Sequence, residues 1–313
     1  MNKKKIAVIT GALGQDGIIL SKILLKRQFL VYGLIKNHNN KKKIKDVIYN
    51  KIELQNYQKV KKYLDKINPN CFIHLGTENP SYREINQKDF YKINLKNTKN
   101  LIKYFSENTN RNKLILIGSS QMFDTKNKIV KDTSKFSSSN SYSKFRIHSF
   151  KIMKSFKKKF NSNIVMAILF NHDSIYRKKK FLLPRLISMV KYKKYKMIDD
   201  IFQDNISGDF SHAEDICEGI YRLILLKKNI DKIILSSNKR IYINNIINYL
   251  LKINKDKKKF FIRKEKNISS PIGVNSYAQK ILKWKIKKNI FMAAKELFYF
   301  NEKSFYKTKI KQI

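Results

Sequence analysis

Gly11, Gly14 and Gly17 are spaced three apart between the β-branched run Ile6–Thr10 and an apolar-periodic segment over 18–29. Strand, tight turn and helix is the reading that fits. In such a turn the first glycine permits the bend, the second lets backbone approach a phosphate, and the third lets helix pack on strand. A pyrophosphate then rests on the helix N-terminus, where free N–H groups and the dipole favour an anion. The chemistry on offer is dinucleotide binding; a glycine-rich turn in an ordinary α/β domain is the alternative. About 20 residues further on, where folds that choose NAD place Asp or Glu, the second strand ends at Lys36. A cation there suits a 2′-phosphate, so NADP is expected ahead of NAD, unless Lys36 is one more solvated lysine. Tyr142 follows a serine-rich loop, opens a helix and carries Arg146 four residues on, on the same face; Lys144 is not on that face. A phenol of pKa ~10 needs a neighbouring cation to act as a base near neutrality. The pair is the candidate proton acceptor, although an isolated Tyr-x-x-x-Arg is also what a helix-surface contact looks like. Arginine keeps a lysine's charge but is bulkier and forked.

These groups need a scaffold that brings the glycine turn and the tyrosine together. Strands are expected at 5–10, 30–35, 47–53, 71–75, 113–118 and 163–170, and helices at 16–27, 56–66, 84–105 and 141–160. Such alternation implies an α/β, Rossmann-like, doubly wound parallel sheet, with ligands at the carboxyl ends of its strands. Beyond residue 170 the pattern loosens. A basic stretch at 177–180 leads to a helix at 181–192, a strand at 205–211, a helix at 213–228 and a strand at 232–236. The tail over 242–300 reads as mostly helical, and the last dozen residues as basic and prone to fray. The expected division is a dinucleotide-binding domain over 1–175, with return segments near 205–237, and a smaller, mostly helical C-terminal substrate lobe over 176–313.

The chain has 313 residues, enough for one large domain with a smaller lobe, and 42% of them are hydrophobic. Cys71 and Cys217 both lie in apolar segments and read as small buried hydrophobes in a reducing compartment, not as a disulfide or metal site. No metal is expected. No apolar run approaches the ~18 residues of a membrane helix, and the glycine phasing after 6–14 argues against a signal peptide. The formal charge of +45 invites a nucleic-acid reading, but lysine triplets at 3–5, 41–43, 157–159, 178–180 and 257–259 spread that charge along the whole chain. Without an aromatic-interleaved basic strip or zinc-finger spacing, specific nucleic-acid binding is not expected. Attraction of anionic substrates is.

Four segments carry a resemblance: Thr10-Gly-Ala-Leu-Gly-Gln-Asp-Gly17, Leu169-Phe-Asn-His-Asp-Ser174, Gly208-Asp-Phe-Ser-His-Ala-Glu-Asp215 and Gly273-Val-Asn-Ser-Tyr-Ala-Gln-Lys-Ile-Leu-Lys-Trp284. Through them the chain, from Ile6 to about Leu297, resembles the extended short-chain dehydrogenases/reductases and within them the GDP-mannose 4,6-dehydratases. The resemblance implies a cytoplasmic lyase of nucleotide-sugar metabolism. NADP oxidises sugar C4 while the tyrosine removes the O4 proton, a glutamate removes the C5 proton, water leaves C6 and hydride returns there. It implies Tyr142 as the base at O4, Arg146 in the place of the family lysine, Ser119 as the hydroxyl that bonds O4, and Gln121 in the place of the glutamate base. It implies cofactor contacts from Gly11, Gly14, Gln15, Asp16, Gly17, Lys36, Tyr142, Arg146, His172 and Arg177. Glu53 and Leu54 stand beside the adenine, and Leu75, Gly76 and Thr77 begin the loop after the fourth strand, which runs to Asn79. Asn171 approaches the substrate diphosphate. It also implies a homodimer or homotetramer built on the helices at 84–105 and 141–160.

The departures matter as much. An amide at 121 cannot take the C5 proton, Arg146 replaces lysine, and Gly208 stands where the family has a diphosphate-binding arginine. A GDP-mannose dehydratase is the leading expectation. A 4-keto sugar-nucleotide reductase or epimerase, and a catalytically silent NADP-binding homologue, are the alternatives. His172 and His212 read equally as site or structural histidines, and His74 as structural.

Overall fold

Ala7, Val8 and Ile9 are consecutive and fully buried, so their strand is covered on both faces, as parallel sheets are. The computed structural model describes residues 4–36, 43–77, 88–108, 112–137, 140–261, 263 and 266–300. The first half runs β1 (Ile6–Thr10), α1 (Gln15–Lys26), β2 (Leu30–Leu34), β3 (Val47–Asn50), α2 (Tyr57–Ile67), β4 (Cys71–His74), α3 (Lys88–Glu107), β5 (Lys113–Ser119), β6 (Ile129–Val130), α4 (Ser141–Phe160) and β7 (Ile164–Leu169). Then follow β8 (Asn171–Asp173), α5 (Leu182–Lys191), α6 (Tyr195–Gln203), β9 (Asn205–His212), α7 (Ala213–Leu225), β10 (Lys232–Leu235), β11 (Arg240–Tyr242), α8 (Ile243–Ile253), β12 (Asn267–Ser269), β13 (Ile272–Gly273), α9 (Ser276–Leu282) and α10 (Ile290–Tyr299).

Seven parallel strands form one sheet in the order β10-β7-β5-β4-β1-β2-β3. Successive residues of each strand go to opposite faces. Ala7, Ile9, Ile73, Ile115, Ile117, Val165 and Ala167 pack with Leu20 and Leu24 of α1 and Ile216, Ile220 and Leu223 of α7. Val8, Phe72, Leu114, Leu116, Ile164, Met166 and Ile168 pack with Val60 and Leu64 of α2, Leu101 and Phe105 of α3, and Phe150 and Met153 of α4. Each such buried Val, Leu, Ile, Phe or Met side chain contributes ~1.5–3 kcal/mol. The α/β, doubly wound expectation holds. The order reverses at β1, whose neighbours are β2 and β4, and the crevice at the carboxyl ends there is where such folds bind ligands.

A third core joins α5, α6, α8 and α10 through residues such as Leu186, Ile198, Phe202, Ile247 and Ala294. They pack with β9, which pairs with β8, β11 and β12 in a small second sheet. The sequence reading differs here in several places. The tail beyond 242 holds three helices but also β12 and β13, short strands formed by pairing with β9 and β6 rather than by any periodicity of their own. Helix α6 was not anticipated, although Ile198 and Phe202 are buried at i,i+4. β3 stops at Asn50, so Glu53 follows it in irregular chain. The helix expected from 84 lies outside the described residues until Lys88. Glu78, Asn79, residues 138–139 and the last dozen residues also lie outside them. Among the described residues no helix is long and apolar enough to cross a membrane.

The turn between β1 and α1 depends on its glycines. Gly11 has φ +68°, and a Cβ at Gly17 would lie 2.4 Å from the Gly11 carbonyl oxygen and 2.7 Å from Ala12 Cα. Those obstacles are backbone and cannot swing away. Gly17→Ala is expected to cost about 1–3 kcal/mol by overpacking and to open the turn. Gly14→Ala, whose Cβ would meet the same oxygen at 3.1 Å, should cost less. Urea unfolding midpoints of the two variants check the order.

Candidate active site

The carboxyl ends of β1, β2, β4, β5 and β7 surround a cavity of about 960 Å³. Gly11, Gly14, Gln15, Asp16, Gly17, Lys36, Glu53, Leu54, Leu75, Gly76, Thr77, Ser119, Gln121, Tyr142, Arg146, Asn171, His172 and Arg177 all line it. Every site residue expected from the sequence is thus gathered in one place. His74 and His212 are not on this wall. His74 is buried between the hydroxyls of Thr10 (2.9 Å) and Thr98 (3.3 Å), and burial, with Arg146 adding to it, pushes its pKa down to about 3. It is a neutral structural histidine. His212 caps α7 through Glu214 N–H and pairs with Glu296 at 3.0 Å. Glu214 and Glu296 also approach one another, but Lys288 Nζ already sits between them, at 2.7 and 3.4 Å.

At one end of the cavity Gly14 is the N-cap of α1 and supplies no side-chain hydrogen bond, leaving first-turn N–H groups for an anion. Gln15 and Asp16 explain their place in the motif by their partners. Gln15 Nε2 donates to the His172 carbonyl at 3.2 Å, and Ser174 Oγ donates to Gln15 Oε1 at 3.1 Å. His172 Nε2 lies 3.1 Å from both Asp16 oxygens, and its Nδ1 is 2.6 Å from the Phe170 carbonyl. The glycine turn is thereby tied to the segment after β7. Burial alone would raise the Asp16 pKa, but His172, Arg177 and Gln15 together hold it down to about 2. Burial would lower that of His172, and the Asp16 charge and hydrogen bond more than reverse this and raise it. Arg177 pairs with Asp173 at 2.8 Å and lies over the Phe181 ring at 3.8 Å.

At the other end Asn140 caps α4, its side chain accepting from Ser143 N–H at 2.8 Å. This fixes Tyr142 in the first turn, 5% exposed, beside Phe90 and Phe145. Arg146 is buried and its Nη2 stands 3.4 Å from Tyr142 Oη. The guanidinium is clamped from two sides: Nη2 donates to Thr77 Oγ1 at 2.6 Å and Nη1 to the Ile117 carbonyl. Lys144 is exposed. Ser119 ends β5 and its Oγ accepts from Gln121 N–H at 3.2 Å. Gln121 is exposed to the cavity, and its Oε1 accepts from Asn140 Nδ2 at 3.4 Å. The only carboxylates on the described lining are Asp16, tied to His172, and Glu53, 2.7 Å from Lys59. Neither belongs to the end that holds Ser119 and Tyr142. Two buried polar atoms on the wall, Asn97 Oδ1 and Arg146 Nε, have no partner.

The model of the family described as GDP-mannose 4,6 dehydratase matches residues 8–297. The chain belongs to that family. Among its relatives, GDP-mannose 4,6 dehydratase 1 of Arabidopsis thaliana is 23% identical over 256 residues, covering 74% of this chain and 70% of the relative. The fold is similar to that of the dTDP-glucose 4,6-dehydratase of Bacillus anthracis in complex with NAD, with TM-score 0.78, 13% identity and 96% and 97% of the two chains covered. It is also similar to that of the UDP-glucuronic acid 4-epimerase of Bacillus cereus in complex with NAD, with TM-score 0.77, 19% identity and 96% and 99% covered. On the wall near Tyr142 and Ser119, position 121 carries an amide and no carboxylate.

Sequence reasoning missed Thr77 as the clamp on Arg146, Asn140 as the cap that fixes Tyr142, and Lys178 and Lys180, which also line the cavity. The capping signal was readable, since Asn140 precedes Ser143 at the N3 spacing. The lysines were hidden among the many of their kind.

Proposed function

We propose that this chain is an NADP-dependent enzyme of the GDP-mannose 4,6-dehydratase type, equipped for proton and hydride exchange at C4 of a nucleotide sugar. The observation that carries the reading is the Tyr142–Arg146 pair, held beside Ser119 in the same cavity as the glycine turn. A nicotinamide dinucleotide fits the wall: the start of α1, with no side-chain cap, suits a pyrophosphate, and the glycine turn beside it lets backbone approach that group. When bound, that group supplies the hydride acceptor and donor. Tyr142 Oη takes the proton of the sugar's 4-hydroxyl, Arg146 stabilises the phenolate, and Ser119 Oγ orients the same oxygen. Gln15, Asp16 and His172 brace the turn that holds the cofactor, with Gly76 and Thr77 opposite. Glu53 and Leu54 flank the adenine, Arg177 faces the cofactor and Asn171 the substrate diphosphate. GDP-mannose is the first substrate to test, by way of the family.

The absence of a carboxylate near Ser119 and Tyr142 among the described residues favours a second reading, a 4-keto sugar-nucleotide reductase or epimerase, which needs no base at 121. Incubation with NADP⁺ and GDP-mannose separates the two: a 4-keto-6-deoxy product supports the dehydratase, while NADPH oxidation by a 4-keto-6-deoxy sugar nucleotide supports the reductase. Neither activity, with cofactor bound, would leave a silent homologue. For the cofactor, Lys36→Glu is expected to weaken NADP binding by on the order of tenfold more than NAD binding, or ~1.4 kcal/mol. Equal losses in titration calorimetry would assign Lys36 to the solvated surface. We further propose a cytoplasmic homodimer or tetramer joined through α3 and α4, to be checked by light scattering.

A further inference from the structure

Arg146 is buried, yet none of the groups it bonds is a carboxylate. Nη1 donates to the Ile117 carbonyl, Nη2 to Thr77 Oγ1 at 2.6 Å and to Tyr142 Oη at 3.4 Å, and Nε has no partner. A buried guanidinium is costly unless its donors are met, so each acceptor counts. Ile117 lies in β5 and Thr77 follows β4, and these strands are neighbours in the sheet. The guanidinium thus bridges the carboxyl ends of adjacent strands. The acceptor at Ile117 is backbone and is there whatever the side chain. The acceptor at 77 is a side-chain hydroxyl, supplied by the choice of threonine.

The start of the loop fixes where residue 77 stands. Gly76 N–H donates to Thr10 Oγ1 at 2.7 Å, and a Cβ at Gly76 would lie 2.8 Å from that same oxygen. Thr10 Oγ1 is 2.9 Å from His74 Nδ1, and His74 Nε2 is 3.3 Å from Thr98 Oγ1, which donates to the Asn94 carbonyl at 2.8 Å. Burial keeps the ring neutral. One tautomer then satisfies the whole chain: Thr10 O–H donates to Nδ1, and Nε2–H donates to Thr98 Oγ1. β1, α3 and β4 are tied together directly behind Thr77. Its hydroxyl takes one Nη2 N–H at short range, and the second N–H of that nitrogen is left for the phenol. With valine at 77 the fork would keep one firm anchor, at Ile117, and could turn away from Tyr142. We propose that Thr77 is the positioning residue of the proton-transfer pair: its hydroxyl seats Arg146 against Tyr142 and lets an arginine serve at that place. The assignment rests on the reading of Tyr142 and Arg146 above, and it gives the Thr77 hydroxyl to Arg146 and not to the cofactor.

Hydride exchange at C4 is followed in the full chain by the burst of NADPH absorbance, with NADP⁺ and GDP-mannose and with NADPH and a GDP-linked 4-keto-6-deoxy sugar. NADPH fluorescence reads cofactor binding in parallel. The proteins compared are the natural one, Tyr142→Phe, Thr77→Val, Thr77→Ser, Arg146→Met and Thr77→Val/Arg146→Met. Valine fills the space of threonine without the hydroxyl, and serine keeps the hydroxyl. Thr77→Val is expected to lower kcat by about ten- to a hundredfold, the worth of one hydrogen bond to a charged group, with KM and NADPH affinity unchanged. Thr77→Ser restores most of the rate. In the Arg146→Met chain there is no guanidinium to seat, so Thr77→Val costs little more and the two losses do not add. Natural kcat in Thr77→Val overturns the proposal. So does a loss that falls on NADPH affinity, which would give the hydroxyl to the cofactor. A loss that serine does not repair, or that adds in full to Arg146→Met, would make Thr77 a structural residue of its loop and overturns it as well. In each of these cases a slow Tyr142→Phe leaves the reading of the pair standing. If the natural chain and Tyr142→Phe turn over alike, or neither turns over, that reading fails and takes the proposal along.

Discussion

Tyr142→Phe is expected to slow hydride exchange at C4 by about 10²–10⁴-fold, the usual contribution of a positioned general base, while cofactor affinity is unchanged. The ring is 5% exposed and packed against Phe90 and Phe145, and phenylalanine fills the same space, so the fold survives the change. Only the hydroxyl 3.4 Å from Arg146 Nη2 is lost. Burst absorbance of NADPH with a 4-keto sugar nucleotide reads the chemical step, and quenching of NADPH fluorescence reads binding. A variant that turns over at the natural rate would remove Tyr142 from the reaction. Arg146→Lys makes a useful companion. It keeps the charge but cannot span Tyr142, the Thr77 hydroxyl and the Ile117 carbonyl together, so the phenol loses a cation held in register.

The doubly wound sheet was legible because parallel strands covered on both faces are written as unbroken apolar runs, such as Leu114 to Ile117. The same logic made Arg146, rather than Lys144, the partner of Tyr142, since helical spacing alone puts i+4 on one face. What was not legible depends on long-range pairing. Strands of two or three residues, β8 and β11 to β13, have no period to detect and exist because β9 or β6 offers an edge. The clamp on Arg146 joins residues 29 and 69 positions away. Gln15 and Asp16 were visible as a family mark, but their task of tying the turn to residues 172–174, more than 150 positions on, appears only in three dimensions. Lys178 and Lys180 escaped notice for a compositional reason: in a chain of charge +45 a lysine carries little information until a cavity wall singles it out.

Gln121→Glu is expected to create, or raise by about 10²-fold or more, the loss of water across C5–C6. The C5 proton next to a 4-ketone is acidic enough for a carboxylate to remove, and an amide has no free basic pair for it. No carboxylate on the described wall can serve instead. Asp16 is pinned by His172 with its pKa held down to about 2, which makes it a weak base, and Glu53 is paired with Lys59 beyond β3. Position 121 lies two residues from Ser119, exposed to the cavity, with Asn140 Nδ2 3.4 Å from the amide oxygen and ready to donate to a carboxylate there. The sign of the pH dependence follows from the mechanism. The new step needs the ionised form, so its rate rises with pH through the glutamate pKa, ~4.3 when unperturbed, and then levels. Deuterium uptake at C5 from heavy water and the dehydrated mass of the product report the step directly. Equal deuterium uptake by the natural chain and the variant would place the base on another residue. Uptake confined to the variant would mean that one amide separates C4 exchange from elimination in this cavity.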